Sequence, residues 1–210
     1  MHSETIIFSV DLLGVFVFAL SGGLAAVRLR LDMFGVIVIS FMPAIGGGTL
    51  RDLLLDVPVF WLKCEIYLFV SITAGLAAFF APHFWSRMRA LVWIDAVGLS
   101  LFCVIGASKA HDLGFGPIVV VAMGVITATA GGLIRDVICN ERPMLLQKDI
   151  YATAAILGAS VYWLCIDFVG APLIATFTGA AVALLIRAIG ITFKLSLPYP
   201  QRNSDTRLRD

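Results

Sequence analysis

The chain has 210 residues, of which 60% are hydrophobic and 14% charged, and its mean hydropathy is +0.98. A soluble domain of this length has no interior large enough for that much apolar surface, so the composition calls for lipid as solvent and partner. The formal net charge of +1 gives no reason to expect a nucleic-acid partner. The scattered Cys64, Cys103, Cys139 and Cys165 have no CxxC spacing that would suggest disulfides or zinc.

A helix needs about 20 apolar residues to cross a bilayer. Seven such spans are expected, at 5–27, 33–56, 64–82, 91–109, 116–138, 149–167 and 172–193. The fold class is therefore an all-α integral membrane protein. The opening MHSETIIF has no basic stretch and reads as the start of a permanent helix rather than a cleaved leader.

Span one carries Asp11. Span two carries Pro43, then GGGTLRD: Gly46, Gly47, Gly48, Thr49, Leu50, Arg51 and Asp52. An interior glycine costs about 1 kcal/mol relative to alanine, and proline lacks a backbone donor. Span two is therefore expected to kink or break near 43–48. Span four carries Asp95. Span five carries Thr127 and Thr129, whose hydroxyls can bond freed carbonyls, then Gly131-Gly132 and Arg135-Asp136. Charges within an apolar span mark function when a partner can be named. Asp11 and Arg51 lie at similar depth from one face, and Asp95 and Arg135 from the other. The expected pairs are Asp11–Arg51 and Asp95–Arg135, with Asp52 and Asp136 as competing partners.

Basic residues set the orientation. Arg28, Arg30, Arg87, Arg89, Arg142, Lys148, Lys194, Arg202, Arg207 and Arg209 all fall on one side of a seven-span chain, against Lys63 and Lys109 on the other. The N-terminus is expected outside and the C-terminus in the cytoplasm, in a bacterial inner membrane.

A shift of 84 residues aligns the chain with itself. Asp11 falls on Asp95, Gly14 on Gly98, Phe18 on Phe102, and Gly22 on Gly106. Gly47, Gly48, Arg51 and Asp52 fall on Gly131, Gly132, Arg135 and Asp136, and Ile66-Tyr67 on Ile150-Tyr151. Each copy holds three spans, so the second enters from the opposite face, the inverted plan of many transport proteins. The expected organisation is one three-helix repeat (1–90), an inverted repeat (91–168), a seventh helix (169–193) and a cytoplasmic tail (194–210).

Broken backbone at membrane depth lines protein or water, and freed carbonyls can replace the hydration of a cation. Close helix packing through small residues is the competing reading. His2, His83 and His111 lie at the terminus or in connectors, and no hydrolase or HExxH motif is present. Asp11 and Asp95 lie near opposite faces, too far apart to share a proton. No enzyme activity, catalytic residue or cofactor is expected.

GGGTLRD and GGLIRD, set in inverted three-span repeats with a seventh helix, resemble the trimeric intracellular cation channels (TRIC). The closer likeness is to the bacterial branch, whose domain is also labelled a glycine transporter. It covers about residues 5–193. The resemblance implies a homotrimer with one pore per subunit, permeable to K+ or Na+ and lined by kinked second and fifth helices. It implies no metal beyond the transient monovalent cation. The animal members' Lys-Glu-Val segment, which holds an inositol lipid, is absent here. A secondary carrier for a small solute such as glycine fits the same architecture.

Overall fold

A computed structural model describes residues 2–80, 88–147 and 150–195, in which every regular element is helical. The helices are α1 (His2–Arg28), α2 (Met33–Leu54), α3 (Phe60–Lys63), α4 (Ile66–Phe80), α5 (Met88–Asp112), α6 (Pro117–Ile138), α7 (Ala152–Val169) and α8 (Pro172–Phe193). A single 3-10 turn, Met144–Leu146, follows α6. Among the described residues, six helices are long and apolar enough to cross a membrane. The third expected span, α4, has 15 described residues, and its expected end at Pro82 lies outside them. So do His83, Trp85, Arg87, Lys148 and the tail from 196.

The turns repeat as the sequence does. The chain leaves α1 through Arg30 at φ 58° and leaves α5 through Gly114 at φ 79°. Asp32 then caps α2, accepting a hydrogen bond from the Gly35 amide at 2.8 Å. At the matching start of α6, Pro117 occupies the first turn, where its missing N–H costs nothing. Helices α2 and α6 end alike, through Asp56 and Asn140, both at φ 53°. Asp and Asn tolerate that left-handed conformation best among residues with a side chain.

Helix α1 packs on α2 and α4, and α5 on α6, α7 and α8. The two bundles meet through equivalent pairs, α1 against α5 and α2 against α6. At the first pair, Phe18 and Phe102 have ring centroids 5.1 Å apart. Each ring covers the other copy's glycine, Phe102 over Gly14 and Phe18 over Gly98. The core around them mixes Val15, Leu99 and Val104 with many alanines and serines, and the small residues let backbones approach closely.

Of the kink or break expected near 43–48, the break does not occur. The helical runs of α2 and α6 are continuous through Pro43, Gly46 to Gly48, and Gly131-Gly132. The glycines do not end either helix, because each carries on its hydrogen-bonded run within a bundle that covers it.

Candidate functional site at the crossing of α2 and α6

Helices α2 and α6 cross where their glycine runs meet. A Cβ on Gly47 would strike the carbonyl oxygen of Thr127, and one on Gly131 would lie 2.5 Å from the carbonyl oxygen of Pro43. The two contacts are the same contact seen from either copy. No side chain fits, so backbone meets backbone. Gly46 is looser, with the flexible tip of Ile134 at 3.2 Å. Gly48 faces the Phe60 ring and Gly132 the Tyr151 hydroxyl.

Three threonine hydroxyls bond back along these helices: Thr49 to the Ile45 carbonyl at 2.7 Å, Thr127 to Met123 at 2.6 Å and Thr129 to Val125 at 2.8 Å. Such bonds compete with the helix's own pattern and favour bending. Thr49 also accepts from the Trp61 indole N–H at 3.0 Å.

A buried charge cluster closes each end of the crossing. At the N-terminal end of the molecule, Arg51 Nε donates to Asp52 Oδ1 at 2.8 Å. Asp52 Oδ2 accepts from the Phe60 amide at 2.9 Å, tying the start of α3 to α2. At the opposite end the pattern recurs: Arg135 Nε to Asp136 Oδ1 at 2.8 Å, and the Met144 amide to Asp136 Oδ2 at 2.9 Å. Arg51, Asp52, Arg135 and Asp136 are all buried.

The aspartates of the first and fourth spans then differ. Arg135 Nη1 donates to Asp95 Oδ1 and to the Ser21 hydroxyl, each at 2.8 Å, so the expected Asp95–Arg135 pair forms. Asp11 makes no ion pair with Arg51 among the described residues. It accepts instead from the Tyr67 hydroxyl at 2.6 Å, and Asp52 takes Arg51. Of the two partners that the sequence offered Arg51, the competitor Asp52 holds it and Asp11 does not. One reason can be read from the repeat. The counterpart of Ser21 is Ile105, 84 positions on, which has no oxygen to draw Arg51 inward. Tyr151, the counterpart of Tyr67, faces Asp95 without a well-formed hydrogen bond.

The sequence reading passed over Arg187 on α8, which is 1% exposed. Its Nη1 donates to the Ile150 carbonyl at 3.2 Å, and its guanidinium lies 4.9 Å from the Tyr151 ring centroid. The signal was present as a lone arginine inside an apolar 22-residue helix.

A family model described as "Glycine transporter" matches the chain twice, at 8–83 and 92–167. The two matches start 84 residues apart, the offset of the internal repeat. The chain is 42% identical over 197 residues to the UPF0126 inner membrane protein YadS of Escherichia coli (strain K12), covering 92% of this chain and 95% of that one. It is 41% identical to the solved TRIC trimeric intracellular cation channel orthologue from Rhodobacter sphaeroides. That match has a TM-score of 0.86 and covers 91% of this chain and all of the other. The chain belongs to the bacterial branch of the TRIC family. A further prokaryotic TRIC channel, solved in 0.5 M KCl, superimposes with a TM-score of 0.85 at 33% identity, over 92% of this chain. The α2–α6 crossing and its charged ends thus sit in a TRIC fold of an integral membrane protein, among relatives named as membrane proteins and cation channels.

Proposed function

We propose that this TRIC member is a monovalent cation channel, permeable to K+, that works as a homotrimer with one path in each subunit. The observation that carries the reading is the reciprocal crossing of α2 and α6. Two inverted helices meet mid-chain through backbone alone at Gly47 and Gly131, with buried charge at both ends. Pro43, Gly46 to Gly48 and Thr49 on one helix, and Thr127, Thr129, Gly131 and Gly132 on the other, bend the two helices and line the path. The threonine back-bonds support the bend. Arg51 and Arg135 stay locked to carboxylates, which lowers their repulsion of a passing cation. The N-terminus lies outside and the C-terminus in the cytoplasm, as the distribution of basic residues supports. The two repeats at 1–90 and 91–168, the seventh helix and the tail are the units of this assembly, and the doubled family match supports the halves.

The description of the matching family model favours a second reading, a carrier for a small solute such as glycine. Purified protein in a planar bilayer separates the two. Unitary currents in KCl are expected. Saturable glycine flux without unitary currents would sink the channel reading. Mass measurement of the detergent-solubilised protein tests the trimer.

A further inference from the structure

Arg187 is the buried charge to which neither the repeat nor the crossing gives a role. It sits on α8, outside both copies, so the first repeat has no counterpart for it. It lies over the ring of Tyr151, whose hydroxyl would stand 3.0 Å from a Cβ on Gly132. At the other end of the molecule, the matching Tyr67 ring meets Phe60 at 4.7 Å and Phe8 at 6.1 Å, both uncharged.

The two ends therefore differ in charge. At the N-terminal end Asp11, Asp52 and Asp112 stand against Arg51 and Lys109, a formal charge of −1, while Asp95, Arg135, Asp136 and Arg187 are balanced at 0. The open grooves show the same bias. The groove at the N-terminal end holds about 320 Å³ and is lined by Asp11 and Asp112 with no base. The groove at the opposite end is lined by Asp136 and Glu141 against Arg28 and Arg142. A mouth with excess negative charge concentrates cations, and a neutral one does not.

We propose that Arg187 sets the charge of one mouth of the path, so that the channel passes unequal cation currents in its two directions. This rests on the channel reading above. Arg187 acts through the field at the Tyr151–Asp95 end rather than by touching the permeant ion.

The test is the ratio of larger to smaller unitary current at equal and opposite voltages, in symmetric KCl. At about 10 mM salt, where charges act over about 30 Å, the unsubstituted protein should show a ratio of about two, falling towards one at about 1 M. Arg187→Gln, which leaves both ends with the same formal charge of about −1, should bring the low-salt ratio close to one. Arg187→Lys should keep the unsubstituted ratio, because lysine retains the charge while losing the planar stack. Asp11→Asn, which removes the excess charge at the other end, should also move the ratio towards one. A ratio that ignores Arg187→Gln overturns the inference, as does a lysine variant that behaves like glutamine. Thermal unfolding in detergent identifies a glutamine variant that has not folded. In that case an unchanged ratio in Asp11→Asn overturns it. If the unsubstituted protein gives no unitary current at all, the channel reading falls and this inference with it. Currents that are indifferent to Arg187 remove only the inference.

Discussion

Gly46 and Gly47 are adjacent in sequence, yet their surroundings separate them. A methyl group at Gly47 would strike the Thr127 carbonyl, while one at Gly46 would press only on the tip of Ile134. Overpacking against rigid backbone costs about 1–3 kcal/mol. Gly47→Ala and Gly131→Ala should therefore each lower the thermal unfolding temperature in detergent and reduce unitary conductance. Gly46→Ala should do little, and equal losses at 46 and 47 would contradict the crossing described. The tyrosines offer a second contrast. Tyr67→Phe strips Asp11 of its donor at 2.6 Å, a loss of about 1–3 kcal/mol for a partly buried carboxylate. Tyr151→Phe removes a hydroxyl that faces Asp95 without a well-formed bond and should cost less than Tyr67→Phe in the same unfolding assay. The sequence named both aspartates and both arginines. It did not reveal which would pair, because the choice between Arg51 and Tyr67 for Asp11 turns on close packing. Ser21 against Ile105 was a difference on the page, but its meaning appears only once α1 is seen beside α6.

At the scale of the element, the conflict in α2 was legible and its outcome was not. Proline and three glycines weaken an isolated helix by several kcal/mol, which led to the expectation of a kink or break. Packing against α1, α4 and α6 keeps the helix continuous instead. The weakness is better understood as bending compliance held in place by neighbours. Pro43→Ala restores a donor to the Ile39 carbonyl, and should raise the unfolding temperature while lowering conductance. A variant that conducts normally would show that α2 needs no softness at this point. The arginines also differ as parts of their elements. Removing Arg135 leaves both Asp95 and Asp136 buried without their cation, whereas removing Arg51 leaves only Asp52. A buried charge stripped of its partner costs about 3–5 kcal/mol. Arg135→Leu should therefore destabilise more than Arg51→Leu, as read from the two unfolding midpoints.

For the whole molecule, the repeat was the most legible feature. The 84-residue offset seen in glycines and charges returns in the helix-end dihedrals at Asp56 and Asn140, in the amide bonds from Phe60 and Met144, and in the doubled family match. Periodic patterns survive in sequence because each copy must solve the same folding problem. Arg187 was harder to see because α8 belongs to neither copy, and a comparison of the halves passes over it. The side assigned to the C-terminus rests on basic residues alone. A reporter enzyme active only outside the cytoplasm, fused after residue 195, should stay silent.

The crossing also bears on ancestry. The contact at Gly47 is completed by Thr127, and the contact at Gly131 by Pro43, so each half of the chain holds one side of both. A polypeptide ending after α4 would own four helices, α1 to α4, and would lack the backbone at Thr127 and Gly131 that closes the crossing. The present chain thus carries both sides of the contact in one polypeptide. Its two halves are not free to drift apart, since a bulkier residue accepted in one must be accommodated by the backbone of the other.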